Sequence, residues 1–174
     1  MGFFIWLEHT NFAQWVHGSE SVFAFPTFLT AHVTGMGVLV GLATVINLRL
    51  LGSIPRVPLT PLEKFFPVMW WAFYANVVTG AVLFASDATA KLQTLDFYIK
   101  LVLVALGMLS LIAIRNEVFR NAAVDKMPVS AKGKTLAVLS LILWAAAITA
   151  ARLIAYLAPR HSAAFLIQRF GSHL

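Results

Sequence analysis

The chain has 174 residues, 60% hydrophobic and 11% charged, with mean hydropathy +0.82, where an ordinary soluble domain is roughly half apolar and a quarter charged. That excludes a water-soluble fold, and the apolar excess is spread too evenly for a lone membrane anchor. Lys and Arg number 13 against 7 Asp and Glu, but they sit between apolar runs and not in an aromatic-interleaved stripe, which excludes a nucleic-acid surface.

Taken in chain order, residues 3–16 carry Trp6 and Trp15 among few charges and predict an interfacial amphipathic helix on the outer leaflet. The N-terminus lacks both a basic start and a small-residue cleavage site, so this segment is expected to stay on the mature protein. Crossing about 30 Å of hydrocarbon takes about 20 apolar residues, and four segments meet that length. Residues 21–48 are free of Lys, Arg, Asp and Glu apart from their flanks and give a first span from Pro26 to near Leu51 and Gly52. Residues 65–86, bounded by Lys64 and Asp87, give the second. Thr60-Pro61-Leu62-Glu63 has the capping-box form that starts it early, and Pro67 predicts a modest kink. Residues 97–114 give the third span, with Lys100 inside and Asp96 as its expected N-cap. The fourth follows Lys134 and contains Arg152. The predicted spans are thus roughly 26–51, 62–86, 97–118 and 135–157, and residues 162–170 predict a short C-terminal helix. The fold class is an all-α, four-helix transmembrane bundle in a single domain.

The basic residues set the orientation. Arg49, Arg56 and Lys64 lie between spans one and two, and Arg115, Arg120, Lys126, Lys132 and Lys134 between spans three and four. The positive-inside bias makes both linkers cytoplasmic and puts both termini outside.

Ionisable groups within hydrocarbon are expensive, roughly 2.5–3.5 kcal/mol for a central Arg, Lys or Asp on insertion scales, so each asks for a reason. His32 lies about 9 Å below Pro26 at a rise of 1.5 Å per residue, and Arg152 about 27 Å beyond Lys134. With Asp87 closing the second helix and Lys100 one turn into the third, all four are expected in one outer layer. There Asp87 would neutralise Lys100 or Arg152, and His32 would complete a hydrogen-bonded ring. The plainer account is that these are paired or snorkelling span ends; the functional one is a pocket open to the outer face. With no cysteine in the chain, thiolate metal sites and Cys nucleophiles are removed from consideration. His9, His17, His161 and His173 fall outside the spans, which excludes a paired-histidine, two-haem arrangement. A single haem b would use His32 with Met69, Met108 or His17, and a copper or zinc site would use His17, His32 and Asp87. Gly37 and Gly41 have small-xxx-small spacing and predict close helix packing, with Thr79-Gly80 as a counterpart. Trp70, Trp71, Phe73 and Tyr74 predict packing or lipid-facing anchors. No phosphate loop, His-Glu-x-x-His or nucleophile elbow occurs.

Pro26 with His32 and Gly35, Asn47-Leu-Arg-Leu-Leu-Gly52, Thr79-Gly-Ala-Val-Leu-Phe-Ala-Ser-Asp-Ala88, Phe97 to Lys100 and Arg152-Leu-Ile-Ala-Tyr156 resemble a bacterial inner-membrane family of unknown function, loosely similar to haem-b-type membrane subunits. The resemblance spans nearly the whole chain. It implies four helices, an outer-side histidine on the first (His32) and an acid closing the second (Asp87). Where the first span of that family commonly ends Asp-Leu-Arg, this chain has Asn47, so an ion pair with Arg49 is lost. The family has no assigned activity, so the resemblance bears on topology; the functional expectation is a non-catalytic inner-membrane subunit, an anchor or accessory of a larger membrane assembly, with a respiratory complex and a single haem b on His32 as its narrower form. Its partners would be the lipid bilayer and other membrane subunits or further copies of itself. The alternative is a small transporter or metal-handling protein using the outer polar layer. An independent oxidoreductase fits less well, because one intramembrane histidine builds no electron wire across the bilayer.

Overall fold

The computed structural model describes residues 9–10, 24–85, 88, 92, 95–120 and 128–157, and every regular element among them is helical. Four long helices follow one another: α1 (Ala24–Leu50), α2 (Phe65–Ala85), α3 (Leu95–Ile114) and α4 (Ala131–Leu157). A 3-10 turn (Thr60–Lys64) runs into α2, and a π-turn (Arg115–Phe119) closes α3. All four helices are long and apolar enough to cross a bilayer, which makes the chain a multi-pass membrane protein. The interfacial helix expected at the N-terminus and the short helix expected at the C-terminus lie outside the described residues.

Local chemistry sets the boundaries. α1 ends in a Schellman motif: Gly52 adopts φ 85°, Gly52 N–H donates to the Arg49 carbonyl at 3.1 Å and Ser53 N–H to the Leu48 carbonyl at 3.0 Å. These bonds satisfy carbonyls the helix leaves open, and only glycine takes that φ without strain. Arg49 then donates from Nε to the Val57 carbonyl, fastening the loop back on the helix end. The capping box expected at Thr60 is corrected: Leu59 is the N-cap, without a side-chain cap bond, and Thr60 is already helical. Pro67 is the third residue of α2. Having no N–H for the Glu63 carbonyl four residues back, it leaves the approach to α2 as a 3-10 turn in place of a mid-helix kink. α3 begins at Leu95, two residues ahead of its expected start, so Asp96 falls inside the helix and not at its N-cap. α4 starts at Ala131, four residues before expectation, because Ser130 Oγ accepts from Gly133 N–H at 3.0 Å and serves as N-cap. Lys132, in that first turn, pairs with Glu117 of the π-turn at 2.8 Å.

Antiparallel α1 and α2 form one hairpin, α3 and α4 another, and α1 lies on α4 to join them. The fourth seam, between α2 and α3, is bridged near its ends by aromatic side chains. Phe66 meets Phe119 edge to face at 5.3 Å at one end, and Phe84 stacks on Phe97 at 5.3 Å at the other. The first of these ends carries Arg49, Arg56, Lys64, Arg115, Lys132 and Lys134 and is called the basic end below.

Packing is uneven along the bundle. Among the described residues the contiguous core holds no buried residue of α1 before Leu39, none of α2 beyond Met69, none of α3 before Met108 and none of α4 after Trp144. It therefore fills the half next to the basic end, where Leu50, Ile114, Val118 and Phe119 are buried together with Leu59 and Leu62 of the connection. In the opposite half the described helices touch at the His32–Thr79 and Phe84–Phe97 contacts and bury Ala88 and Ala147, but they leave apolar faces exposed, Val33 and Val78 among them.

The small-residue expectation is corrected in position. A Cβ at Gly37 or Gly41 would meet nothing within 4 Å among the described residues, so these glycines do not mediate packing within the bundle. Close approaches are at Gly35, Gly80 and Gly107, where a Cβ would fall 2.7 Å from Asn76 Nδ2, 3.1 Å from the His32 ring and 3.0 Å from the Trp144 ring, and at Gly133, 3.1 Å from Val118.

Candidate functional site

The candidate site grows from the α1–α2 interface. Ala24 to Leu50 runs with only small and apolar residues around His32, so the imidazole has to find its polar partner on a neighbouring helix. It finds Thr79: His32 Nδ1 and Thr79 Oγ1 are 3.0 Å apart. Thr79 donates its single hydroxyl hydrogen to the Ala75 carbonyl at 2.7 Å. With the hydroxyl hydrogen on that carbonyl, Thr79 Oγ1 accepts from His32 Nδ1 in the tautomer that leaves Nε2 its lone pair. The Asn76 backbone carbonyl also lies within reach of the ring.

Two glycines make this possible. The imidazole lies against Gly80, and one turn deeper the Asn76 amide lies against Gly35. Each helix offers a gap to the polar side chain of the other. Asn76 is buried, donates to the Ala72 carbonyl at 2.9 Å and leaves Oδ1 without a described partner.

Of the four groups expected in one layer, half-buried Lys100 lies one turn into α3 and makes no ion pair among the described residues. The hydrogen-bond partner of His32 is Thr79, an uncharged residue outside that set. Arg152, late in α4, is exposed, and Asp87 lies outside the described residues. The only ion pair among the described residues is Lys132–Glu117. Counting helical rise, His32, Thr79, Lys100 and Arg152 each lie about 8–12 Å from the end of their helix opposite the basic end, in the half without contiguous core.

Met69 and Met108, the intramembrane candidates to share an iron with His32, are buried in the other half. Met69 is about 15 Å along α2 from Thr79 at the helical rise. No three His, Cys, Asp or Glu side chains converge among the described residues; His17 and Asp87 of the expected metal site are not among them. In the aromatic group, Trp71 and Tyr74 are 77% and 55% exposed and face the bilayer, whereas Trp70 and Phe73 pack on the core.

A second polar contact lies deeper. Asn47 Nδ2 donates to Ser140 Oγ at 3.1 Å, both residues fully buried, and ties α1 to α4. Asn47 Oδ1 and Trp144 Nε1 have no described partner. Asn76 and Ser140 were missed from the sequence, and Thr79 was singled out with Gly80 for packing alone, because single hydroxyls and amides are common in membrane helices and only pairing makes them informative.

Comparison with protein-family profiles, with curated proteins and with solved structures finds no match.

Proposed function

We propose that the chain is a non-catalytic inner-membrane subunit, an anchor or accessory of a larger membrane assembly. In this reading the basic end is cytoplasmic, both termini are periplasmic, and the outer half is the face that engages the rest of the assembly. The observation that carries it is the division of the bundle. Among the described residues the contiguous apolar core lies in the basic half, while the half bearing His32, Thr79, Lys100 and Arg152 lies outside it, with only Asn76, Ala88 and Ala147 buried there. Polar side chains at membrane depth are retained where they face a partner, a ligand or water and are disfavoured against lipid. Purification in a gentle detergent tests the reading. A second polypeptide retained at fixed stoichiometry through two successive columns is expected, and a homogeneous lone protomer overturns it.

A bound haem b is a narrower version supported by one observation. Histidines that bind iron typically donate their other ring N–H to a fixed acceptor, and Thr79 is such an acceptor for Nδ1. His32 would hold the iron through Nε2, and the haem would supply one-electron chemistry. The described residues fit one axial position only, since Met69 and Met108 are in the other half. An absorbance spectrum of the purified protein with a Soret band that shifts on reduction is expected, and a flat visible spectrum removes the haem. The small-transporter alternative draws on the same open half; solute uptake by proteoliposomes containing the chain alone would favour it over the subunit.

A further inference from the structure

Between α2 and α3, at the basic end, the bundle leaves a cleft of about 200 Å³. Phe66, Met69, Met108 and Leu111 form its floor, all buried and without a side-chain N or O. Arg115 and Asn116, both exposed, form its mouth. The volume is below the few hundred Å³ typical of small-molecule and cofactor pockets, and it suits a length of one hydrocarbon chain.

Arg115 is placed to bind an anion there. The π-turn starts at this residue, and its guanidinium lies over the Phe66 ring at 5.8 Å. That holds the planar fork at the edge of the floor, in the geometry that favours phosphate oxygens. Glu117, the nearest carboxylate along the chain, is engaged by Lys132 at 2.8 Å, so it does not neutralise Arg115. Seven described Lys and Arg surround this end against Glu63 and Glu117, and basic clefts between membrane helices attract anionic headgroups.

We propose that the α2–α3 cleft binds one anionic phospholipid, its phosphate on Arg115 and Asn116 and an acyl chain over Phe66, Met69, Met108 and Leu111. The site is separate from the His32 layer, and only the assignment to the cytoplasmic leaflet rests on the orientation proposed above. Native mass spectrometry of the full chain in neutral detergent tests it with three probes: dioleoylphosphatidylglycerol, dioleoylphosphatidylcholine and glycerol phosphate. Phosphatidylglycerol is expected to be retained about fivefold better than phosphatidylcholine, the ratio that one basic contact near a headgroup produces. Arg115→Gln abolishes that preference, whereas Arg56→Gln, on the loop away from the cleft, changes it less than about twofold. Met108→Phe, which fills the floor, lowers retention of both lipids, and Ile112→Trp on the exposed wall does the same should the first variant fail to fold. A preference that survives Arg115→Gln, an equal loss in Arg56→Gln, equal binding of glycerol phosphate, or a co-purified neutral quinone in place of phospholipid each overturns the proposal.

Discussion

His32 and Thr79 show what one polar contact does in a bilayer. Hydrogen bonds between membrane helices contribute modestly, about 0.6 kcal/mol on average and up to about 1.7, so Thr79→Val is expected to lower thermal stability in detergent slightly while leaving the bundle folded. The Asn47–Ser140 pair should be costlier to disturb, because both residues are fully buried and Asn47 Oδ1 is already unpaired. Ser140→Ala strands the Asn47 amide and is expected to cost about 1–3 kcal/mol, while the double variant Asn47→Leu/Ser140→Ala recovers most of that loss. A double-mutant cycle read by detergent-denaturation midpoints checks this; additive losses would mean that the two side chains do not interact. The sequence placed His32 within the first apolar helix, where the structure has it. It did not reveal Thr79 as the partner of His32, since the identity of the neighbouring helix and the face it turns are properties of tertiary packing, not of one helix's own pattern.

At the level of helices, small residues matter only where another element fills the gap they leave. Gly107→Ala would push a Cβ to 3.0 Å from the rigid, buried Trp144 ring and should destabilise the α3–α4 hairpin by about 1–3 kcal/mol. Gly35→Ala would displace the Asn76 amide from 2.7 Å and its bond to Ala72, with a loss of similar size. Gly37→Ala and Gly41→Ala meet nothing and are expected to be neutral, or to stabilise by up to about 1 kcal/mol through helix propensity. Thermal unfolding of the four variants side by side would expose an error if Gly37→Ala proved as damaging as Gly35→Ala. The small-xxx-small spacing was legible at Gly37 and Gly41, yet hydrophobicity is nearly uniform around α1, and a membrane helix without an amphipathic face does not disclose which side meets its neighbours. Helix ends were more legible. Charges and Gly52 fixed them to within a few residues, and the differences at Thr60 and Ala131 come from short-range capping and from the N–H that Pro67 lacks.

For the molecule as a whole, the number of spans was readable from hydropathy because each must cross the same hydrocarbon thickness. The division into a packed half and an open half was not, since apolar residues are equally suited to core and to lipid. Orientation is open to a clean experiment, because the chain contains no cysteine. Arg56→Cys in intact cells should resist a membrane-impermeant maleimide, and Leu95→Cys, at a position 74% exposed at the opposite end, should react; the reverse pattern would contradict the proposed topology. The subunit reading meets its most direct test in photo-crosslinking from inside the membrane. A benzophenone amino acid at Val33 or Val78, in the open half, is compared with one at Val68 or Leu109, on exposed faces beside the packed half. The account predicts adducts to a second polypeptide from the first pair and to lipid alone from the second. Adducts confined to lipid or to the chain itself at all four positions would contradict it.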